Sequence, residues 1–427
     1  MKKIVLLLLL FPLASFAQKP SKKQLPAPFS TKSVTNYSNV VGWKDGAMPK
    51  APAGFTVTKY AEDFDNPRWM YVVSNGDVLV AESNSNYSIP KQVGAAIIGA
   101  GKSNNLNNSA DVITILRDTD KDGKPDFRAK LLTKENGLNQ PFGMLVIGNW
   151  FYVANTDALL RFPYDATENK ITGEAQKLVD LPAGKHNRHW TRNIIANADN
   201  SKIYIAVGSG SNVAENGIEA DSGKAAIYEI NPDGTGLKLY AFGLRNPVGM
   251  DWAPGTNTLW TTVNERDELG NNLVPDYLTS VKEGGFYGWP YSYWGNHVDP
   301  RIKKEDAKPE LVKKTIVPDV DLGPHTASLG LAFYTAKAFP AKYRNGAFIA
   351  QHGSWNRDPI SGYKVVFVPF KDGKPTGKYE DFLTGFVVDP KKNEVRGRPV
   401  GITIMPDGSM LVTDDKTNTI WRISSNK

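Results

Sequence analysis

Asn246-Pro247-Val248-Gly249-Met250-Asp251-Trp252-Ala253, then a Pro254-Gly255 turn, then Thr258-Leu259-Trp260-Thr261-Thr262-Val263, holds the pattern that decides the fold. A small turn element opens into a short apolar run, a turn reverses the chain, and a second alternating run returns. Two such runs around a tight turn read as a β-hairpin. The pattern recurs at Asn66-Pro67-Arg68-Trp69, Gln140-Pro141-Phe142-Gly143-Met144, His189-Trp190-Thr191-Arg192, Ala327-Ser328-Leu329-Gly330-Leu331 and Arg398-Pro399-Val400-Gly401-Ile402, making six copies. Asn75-Gly76 and Asp407-Gly408 mark the hairpin turns of the first and last copies.

Self-similarity at blade length, without an amphipathic helix between copies, predicts an all-β fold. The expected form is a single six-bladed β-propeller of four-stranded antiparallel blades over residues 54–427. Two β-sandwich domains are the competing arrangement, but no linker divides the chain. The unequal spacing of the copies implies long insertions, above all at 266–314. Residues 18–53 are polar and rich in Lys, Ser and Pro, and are expected to form a loosely ordered lead-in. Residues 1–17 read as a secretory signal peptide, with Lys2 and Lys3, an apolar stretch over Ile4–Leu13, and Ser15-Phe16-Ala17 before the cut. The mature protein is therefore expected in the periplasm or outside the cell.

Composition narrows the function classes. The 427 residues are 41% hydrophobic and 22% charged, which excludes wholesale disorder. Lys and Arg (51) exceed Asp and Glu (44), a net charge of +7, but the basic residues are scattered and match no nucleic-acid motif. Cys is absent, so disulfides, thiolate metal sites and cysteine nucleophiles are out. No later stretch is apolar for long enough to span a bilayer as a helix.

In a radial array, residues just before each innermost strand converge on one face around the axis. That places His189, Arg192, Arg245, Asn246, Arg396 and Arg398 there, with His325 ahead of the fifth copy. His189 has the chemistry of a general base near neutral pH, although a structural histidine between blades would look the same. Arg245-Asn246 pairs a permanent planar cation with an amide, suited to carboxylate or quinone oxygens, or else to a salt bridge between blades. Arg396 and Arg398 lie two residues apart, so an extended strand would aim both to one side, and two buried like charges call for an anion. Asp118, Asp120, Asp122 and Asp126 stand at the first, third, fifth and ninth positions of a calcium-type loop with Gly123 at the sixth. The twelfth position is Ala129 rather than Glu, so a plain acidic turn fits as well. A second acidic region, Asn264, Glu265 and Asp267 with Asp276 downstream, is a candidate for a hard cation near the channel mouth.

Several segments together resemble the sorbosone dehydrogenase family, a relation of the soluble glucose dehydrogenases that use pyrroloquinoline quinone (PQQ). They are Pro141-Phe-Gly-Met144 with Tyr152-Val-Ala-Asn155, His189-Trp-Thr-Arg-Asn193, Gly243-Leu-Arg-Asn-Pro247, Gly284-Gly-Phe-Tyr-Gly-Trp-Pro290, His352-Gly-Ser-Trp-Asn-Arg357 and Gly397-Arg-Pro-Val-Gly401. The resemblance covers nearly the whole mature chain. It implies a propeller with PQQ and Ca2+ at the channel mouth, an oxidised sugar or polyol-derived substrate, and an external electron acceptor. It makes His189 the base, Arg245 and Asn246 the contacts of the quinone, and Arg396 and Arg398 the partners of its carboxylates. Trp355, Asn356 and Arg357 stand where those enzymes have a Lys, Glu265-Arg266 where they have a calcium-binding Gly-Pro, and His325 where they have a Thr. Two other readings stay open: a non-catalytic propeller binding carbohydrate or protein, and a calcium-dependent propeller lactonase or hydrolase.

Overall fold

The computed structural model describes residues 24–426, so the leader lies outside the described residues. Among the described residues no helix is long and apolar enough to cross a membrane. The chain is all-β. Six sheets are each built on a four-stranded antiparallel meander. Their first strands are Pro67–Val72, Met144–Ile147, Arg192–Ala196, Pro247–Trp252, Ser328–Phe333 and Pro399–Ile404. The sixth sheet draws its outer strand from the other end of the chain, since Phe55–Ala61 pairs with Thr419–Ser425. The second strands Val78–Glu82, Leu259–Val263, Ala347–Gln351 and Met410–Asp414 are buried along their whole length. Burial on both sides explains why they read as continuous apolar runs rather than strict alternation.

Each first strand packs against the first strands of the sheets before and after it, and the cycle closes from the sixth back to the first. Backbone packs directly on backbone there, and this explains the recurrent glycine. A Cβ on Gly143 would lie 2.5 Å from Ile194 N, one on Gly249 2.6 Å from Leu329 O, one on Gly330 2.3 Å from Val400 O, and one on Gly401 2.7 Å from Arg68 O. The third copy has Asn193 at this position, and its side chain donates to Val248 O at 2.9 Å. The first has Trp69, whose ring lies 4.9 Å from that of Phe142. The ladder slips by a bulge at Pro67/Trp69, Pro247/Met250, Ser328/Leu331 and Pro399/Ile402, as expected where strands must bend to a close approach.

A meander reverses at every turn, so the loops between second and third strands return to the face where the first strands begin. Residues 83–111, 208–225, 264–274, 352–363 and 415–418 therefore share that face with the copy starts. The turn holding Asp118–Asp126 joins third and fourth strands and lies on the opposite one. There the carboxylates of Asp118, Asp120 and Asp122 gather within 4.8 Å of one another. Asp126 does not join them: it accepts from Thr119 N at 2.9 Å and from the Thr119 hydroxyl, closing the turn instead.

Two expectations need correcting. From Leu25 onward the lead-in is bonded in rather than loose. Phe29 N donates to Leu269 O at 2.8 Å, Asn39–Val40 pairs in parallel with Glu394–Val395, and Trp43 packs on Phe386 and Trp421. Isolated apolar residues among polar ones suffice because each meets a preformed core cluster. The long connection of the first sheet also contains a helix, Ile89–Ile97, started by Pro90 in its first turn, with Ile89, Val93 and Ile97 left exposed.

Gly330→Ala is expected to destabilise the protein by about 2 kcal/mol or more, because the methyl meets fixed backbone. Gly94→Ala, with open space around its Cβ, should be neutral or slightly stabilising; paired thermal melts check both. If Asp118, Asp120 and Asp122 hold calcium, chelation lowers the melting temperature and Asp120→Asn blunts that shift. An unchanged wild-type melt on chelation would leave an acidic turn.

Candidate active site

The converging loops form three linked groups of side chains. The first centres on His189, placed by the loop entering the third sheet. Its Nδ1 lies 2.9 Å from both the carbonyl and the hydroxyl oxygen of Ser209, and the Ser209 hydroxyl donates to Ser211 O at 2.7 Å. With that hydroxyl proton already used, Nδ1–H is the donor and Nε2 keeps its lone pair. Burial, and then the nearby Arg245 and Arg188 charges, hold the imidazole well below its usual 6.5, so it is neutral at neutral pH. Gly208 is the shelf beneath it, since a Cβ there would come within 2.6 Å of His189 Cβ and 2.5 Å of Asn246 Oδ1. Arg192 is fully buried and faces away from the mouth. It donates to His189 O at 2.8 Å, Pro182 O at 2.6 Å and Asn187 Oδ1 at 2.9 Å, fixing the His189 loop from behind.

The second group forms around Arg245. Its N–H groups all meet protein acceptors: Asn212 O and Oδ1, Asn264 O and Oδ1, Glu265 O and Asp267 Oδ2. Burial would raise the Asp267 carboxyl, but the His325 hydrogen bond and the Arg245 and Arg188 charges keep it well below the carboxylate range. His325, buried and at φ +57, gains in basicity from Asp267 despite burial, and its Nε2 lies 3.0 Å from Gly270 O. Glu265 Oε2 accepts from Arg266 Nε at 2.9 Å, and Arg266 also reaches Asp299 at 3.2 Å. At the expected cation site, guanidinium groups lie against Asn264 Oδ1, Asp267 Oδ2 and Glu265 Oε2. Asp276 lies behind them, its carboxyl pushed up to about 7 by burial although three donors reach it.

The third group lies under the sixth sheet. Arg398 donates to His352 O, Gly353 O and Ser103, and to Asn104 Oδ1. His352 Nε2 meets Asp415 at 2.9 Å, and Arg68 pairs with the same carboxylate. Burial, then the Arg398 charge, pulls the His352 pKa down to about 4. Arg396 does not join Arg398. The chain bends at Arg396, and a Cβ on Gly397 would strike the Asp414 carboxylate, so strand alternation fails there. Arg396 instead donates to Gly385 O at 3.1 Å and lies over the Trp43 ring. Of the fifth-sheet trio, Asn356 ties Glu268 N to Val34 O, Arg357 reaches Pro359 O and Asn272, and Trp355 stays at the mouth.

Two adjoining cavities open among these groups. The larger, about 790 Å³, is lined by Gln140, Asp157, His186, Arg188 and, shared with the smaller, Tyr87 and Trp190. The smaller, about 170 Å³, adds Arg68, His352, Arg398, Asp415 and Lys416. Three cations thus face one carboxylate beside a neutral histidine. Arg68 Nε and Asn246 Oδ1 are buried without a partner among the described residues. The cations Arg68, Arg398 and Lys416, with the unpaired Arg68 Nε–H, fit a polyanion such as PQQ, with its carboxylates and carbonyls. Both Asp267 oxygens and both Asp415 oxygens there are already hydrogen-bonded or charge-paired, while Glu265 Oε1 is buried without a partner among the described residues.

Arg68, Ser209, Asn212, His352 and Asp415 were not singled out as site residues from the sequence. All except Arg68 belong to second-to-third-strand loops, which the meander returns to the site face. The position of each loop, directly after the second apolar run, was the available signal.

Known proteins share this fold and part of this sequence. A protein of Borreliella burgdorferi, itself uncharacterized, is 32% identical over 305 residues, 69% of this chain and 78% of the other. The PQQ-dependent pyranose dehydrogenase of Coprinopsis cinerea is 23% identical over 68% of this chain, and the alignment spans 46% of that enzyme. The holo form of its PQQ domain superposes with a TM-score of 0.68 at 19% identity, over 91% of this chain and 100% of the domain. The calcium structure of a Trichoderma reesei carbohydrate-active enzyme of family AA12 gives 0.72 at 19% identity, over 92% and 99%. The model of the TrAA12-like family matches residues 49–283 and 295–426, and the chain belongs to that family.

Proposed function

We propose that this chain is an exported quinoprotein dehydrogenase, a six-bladed propeller that oxidises a sugar or a related hydroxyl or aldehyde-hydrate group using PQQ. One observation carries the reading: Arg188 and Trp190, which flank the neutral His189 in sequence, line a cavity whose inner lobe presents Arg68, Arg398 and Lys416 against the single carboxylate of Asp415. The Coprinopsis cinerea relative, a PQQ-dependent pyranose dehydrogenase, supports the reading.

Arg398, Arg68 and Lys416 would hold the cofactor's carboxylates, and Asn246, with its unpartnered oxygen, would face its ring. PQQ, when bound, supplies adjacent carbonyls that take the hydride and its two electrons from the sugar carbon. His189 Nε2 takes the proton of the hydroxyl on that carbon, and the Nδ1–H bond to Ser209 fixes the tautomer that makes this possible. Arg245, expected on the quinone, acts one layer further back. Its charge keeps His189 neutral and its hydrogen bonds lock the Asn212, Asn264 and Asp267 loops. Asp267 binds Arg245, Arg188 and His325 together, limiting repulsion among the cations. Calcium is assigned to the far-face turn rather than to the chemistry. Polar residues of the larger cavity (Gln140, Asp157, Asn187, Arg188) suit a hydroxyl-rich substrate.

His189→Ala should lower dye-reduction turnover roughly 100-fold while leaving PQQ affinity within about tenfold, because the base acts as the proton leaves. Wild-type turnover in the folded variant would contradict the assignment. Since the active form of His189 is neutral and its pKa is depressed, kcat/KM should hold its plateau down through pH 6.5 and fall only below it. Arg188→Ala, removing one of the depressing charges, should move that acid limb upward. Arg398→Ala should weaken PQQ binding by about 2 to 5 kcal/mol, read by absorbance titration; an unchanged affinity would remove Arg398 from the cofactor site.

A further inference from the structure

The family match begins at residue 49, yet the segment before it crosses the site face. Phe29 N bonds Leu269 O, Gly270 N donates to Ser33 Oγ at 3.0 Å, Asn356 Nδ2 bonds Val34 O, Asn36 N donates to Trp355 O at 2.7 Å, and the Ser38 and Ser103 hydroxyls meet at 2.9 Å. These partners lie in the second-to-third-strand loops of the fourth, fifth and first sheets. Residues 29–38 are therefore a strap laid across the loops that build the mouth.

Midway along the strap, Tyr37 stacks on Trp355, with ring centroids 5.9 Å apart and 21° between planes. On the same indole the Arg188 guanidinium lies 5.9 Å from the ring centre. Arg188 directly precedes His189 and lines the larger cavity, and Tyr87 lines both cavities. Burial raises the Tyr37 phenol, with Arg188 opposing and Tyr87 and Asp267 adding, so all four groups lie within electrostatic reach of one another. Neither the Tyr37 nor the Tyr87 phenol oxygen has a hydrogen-bond partner among the described residues. Tyr87 lines the cavities itself, and Tyr37 and Trp355 stand one contact behind Arg188; half-buried rings with unpaired hydroxyls offer an apolar face and a polar edge together. A pyranose has the same division, C–H groups on its faces and hydroxyls around its rim.

We propose that Tyr37 of the N-terminal strap, with Trp355 and Tyr87, forms the outer wall of an aldopyranose subsite that presents the sugar to His189. The proposal rests on the dehydrogenase reading for what happens at His189, but not for the binding itself. It assigns part of the substrate specificity to a segment outside the family match.

The test uses Tyr37→Ala and Tyr37→Phe in the full chain, with circular dichroism and melting to confirm folding. Saturation-transfer NMR of the protein without cofactor, probed with D-glucose, D-xylose and cellobiose, reads sugar binding directly. The PQQ-loaded protein is then assayed by dye reduction with the same sugars. Tyr37→Ala is expected to cut the transfer signal several-fold and to raise KM about tenfold, with kcat within about twofold and the PQQ titration unchanged. Tyr37→Phe, which keeps the ring and loses only the hydroxyl, should fall between it and wild type. A folded Tyr37→Ala with wild-type transfer and KM overturns the subsite and leaves the dehydrogenase reading standing. Transfer that depends on Tyr37 in a protein that never binds PQQ supports the subsite and overturns the dehydrogenase. No transfer to any of the three sugars, together with no turnover, overturns both.

Discussion

Backbone contact between neighbouring first strands governs the rest of the structure. Gly143, Gly249, Gly330 and Gly401 each place a Cα where a side chain would collide with the next sheet's main chain. Asn193 meets the same demand by donating a hydrogen bond across the gap. Once six first strands are held this closely, their starting loops have one direction in which to converge. The binding face is therefore a consequence of the packing. His189, Arg245, His325 and Arg398 reach one mouth from four sheets although they span about half the chain.

Convergence has an electrostatic cost that the loops offset locally. Arg192, Arg245, Arg266 and Arg398 are all buried, and each lies in a cage of backbone carbonyls, amide oxygens or carboxylates. Desolvation is strong enough to pull Arg192 down to about 9 and Arg245 to about 10. Asp267 and Asp415, with carboxyls held well below the usual range, remain charged and hold the cations together. The same cations depress His189 and His352. One arrangement therefore sets a cluster of cations and neutral histidines side by side.

The repeat was legible because hairpin turns and the Pro-x-Gly start are local signals, and each copy start contains the residue at which a first strand begins, although the apolar runs were expected to open a few residues later. The place of His189 just before a first strand was legible for the same reason. What stayed hidden depends on distance. Arg245 looked like a ligand contact because nothing near it in sequence shows that Asn212 and Asn264 hold it away from both cavities, whereas Arg398, equally caged, lines the smaller one. Arg396 was paired with Arg398 on the assumption of an extended strand, which the packing of Gly397 on Asp414 breaks. The lead-in looked loose by composition, because its order comes from partners such as Trp355 and Asp414, more than 300 residues away. The helix Ile89–Ile97 was missed because its apolar residues face outward and belong to no core.

The central claim is that this mouth binds one PQQ beside a neutral His189. Absorbance titration of the purified, folded protein with PQQ tests it most directly. A saturable change ending at one equivalent, abolished when Arg68 and Arg398 are both replaced by Ala, is the expected result. A wild-type protein that shows no saturable change up to tens of micromolar PQQ would contradict it.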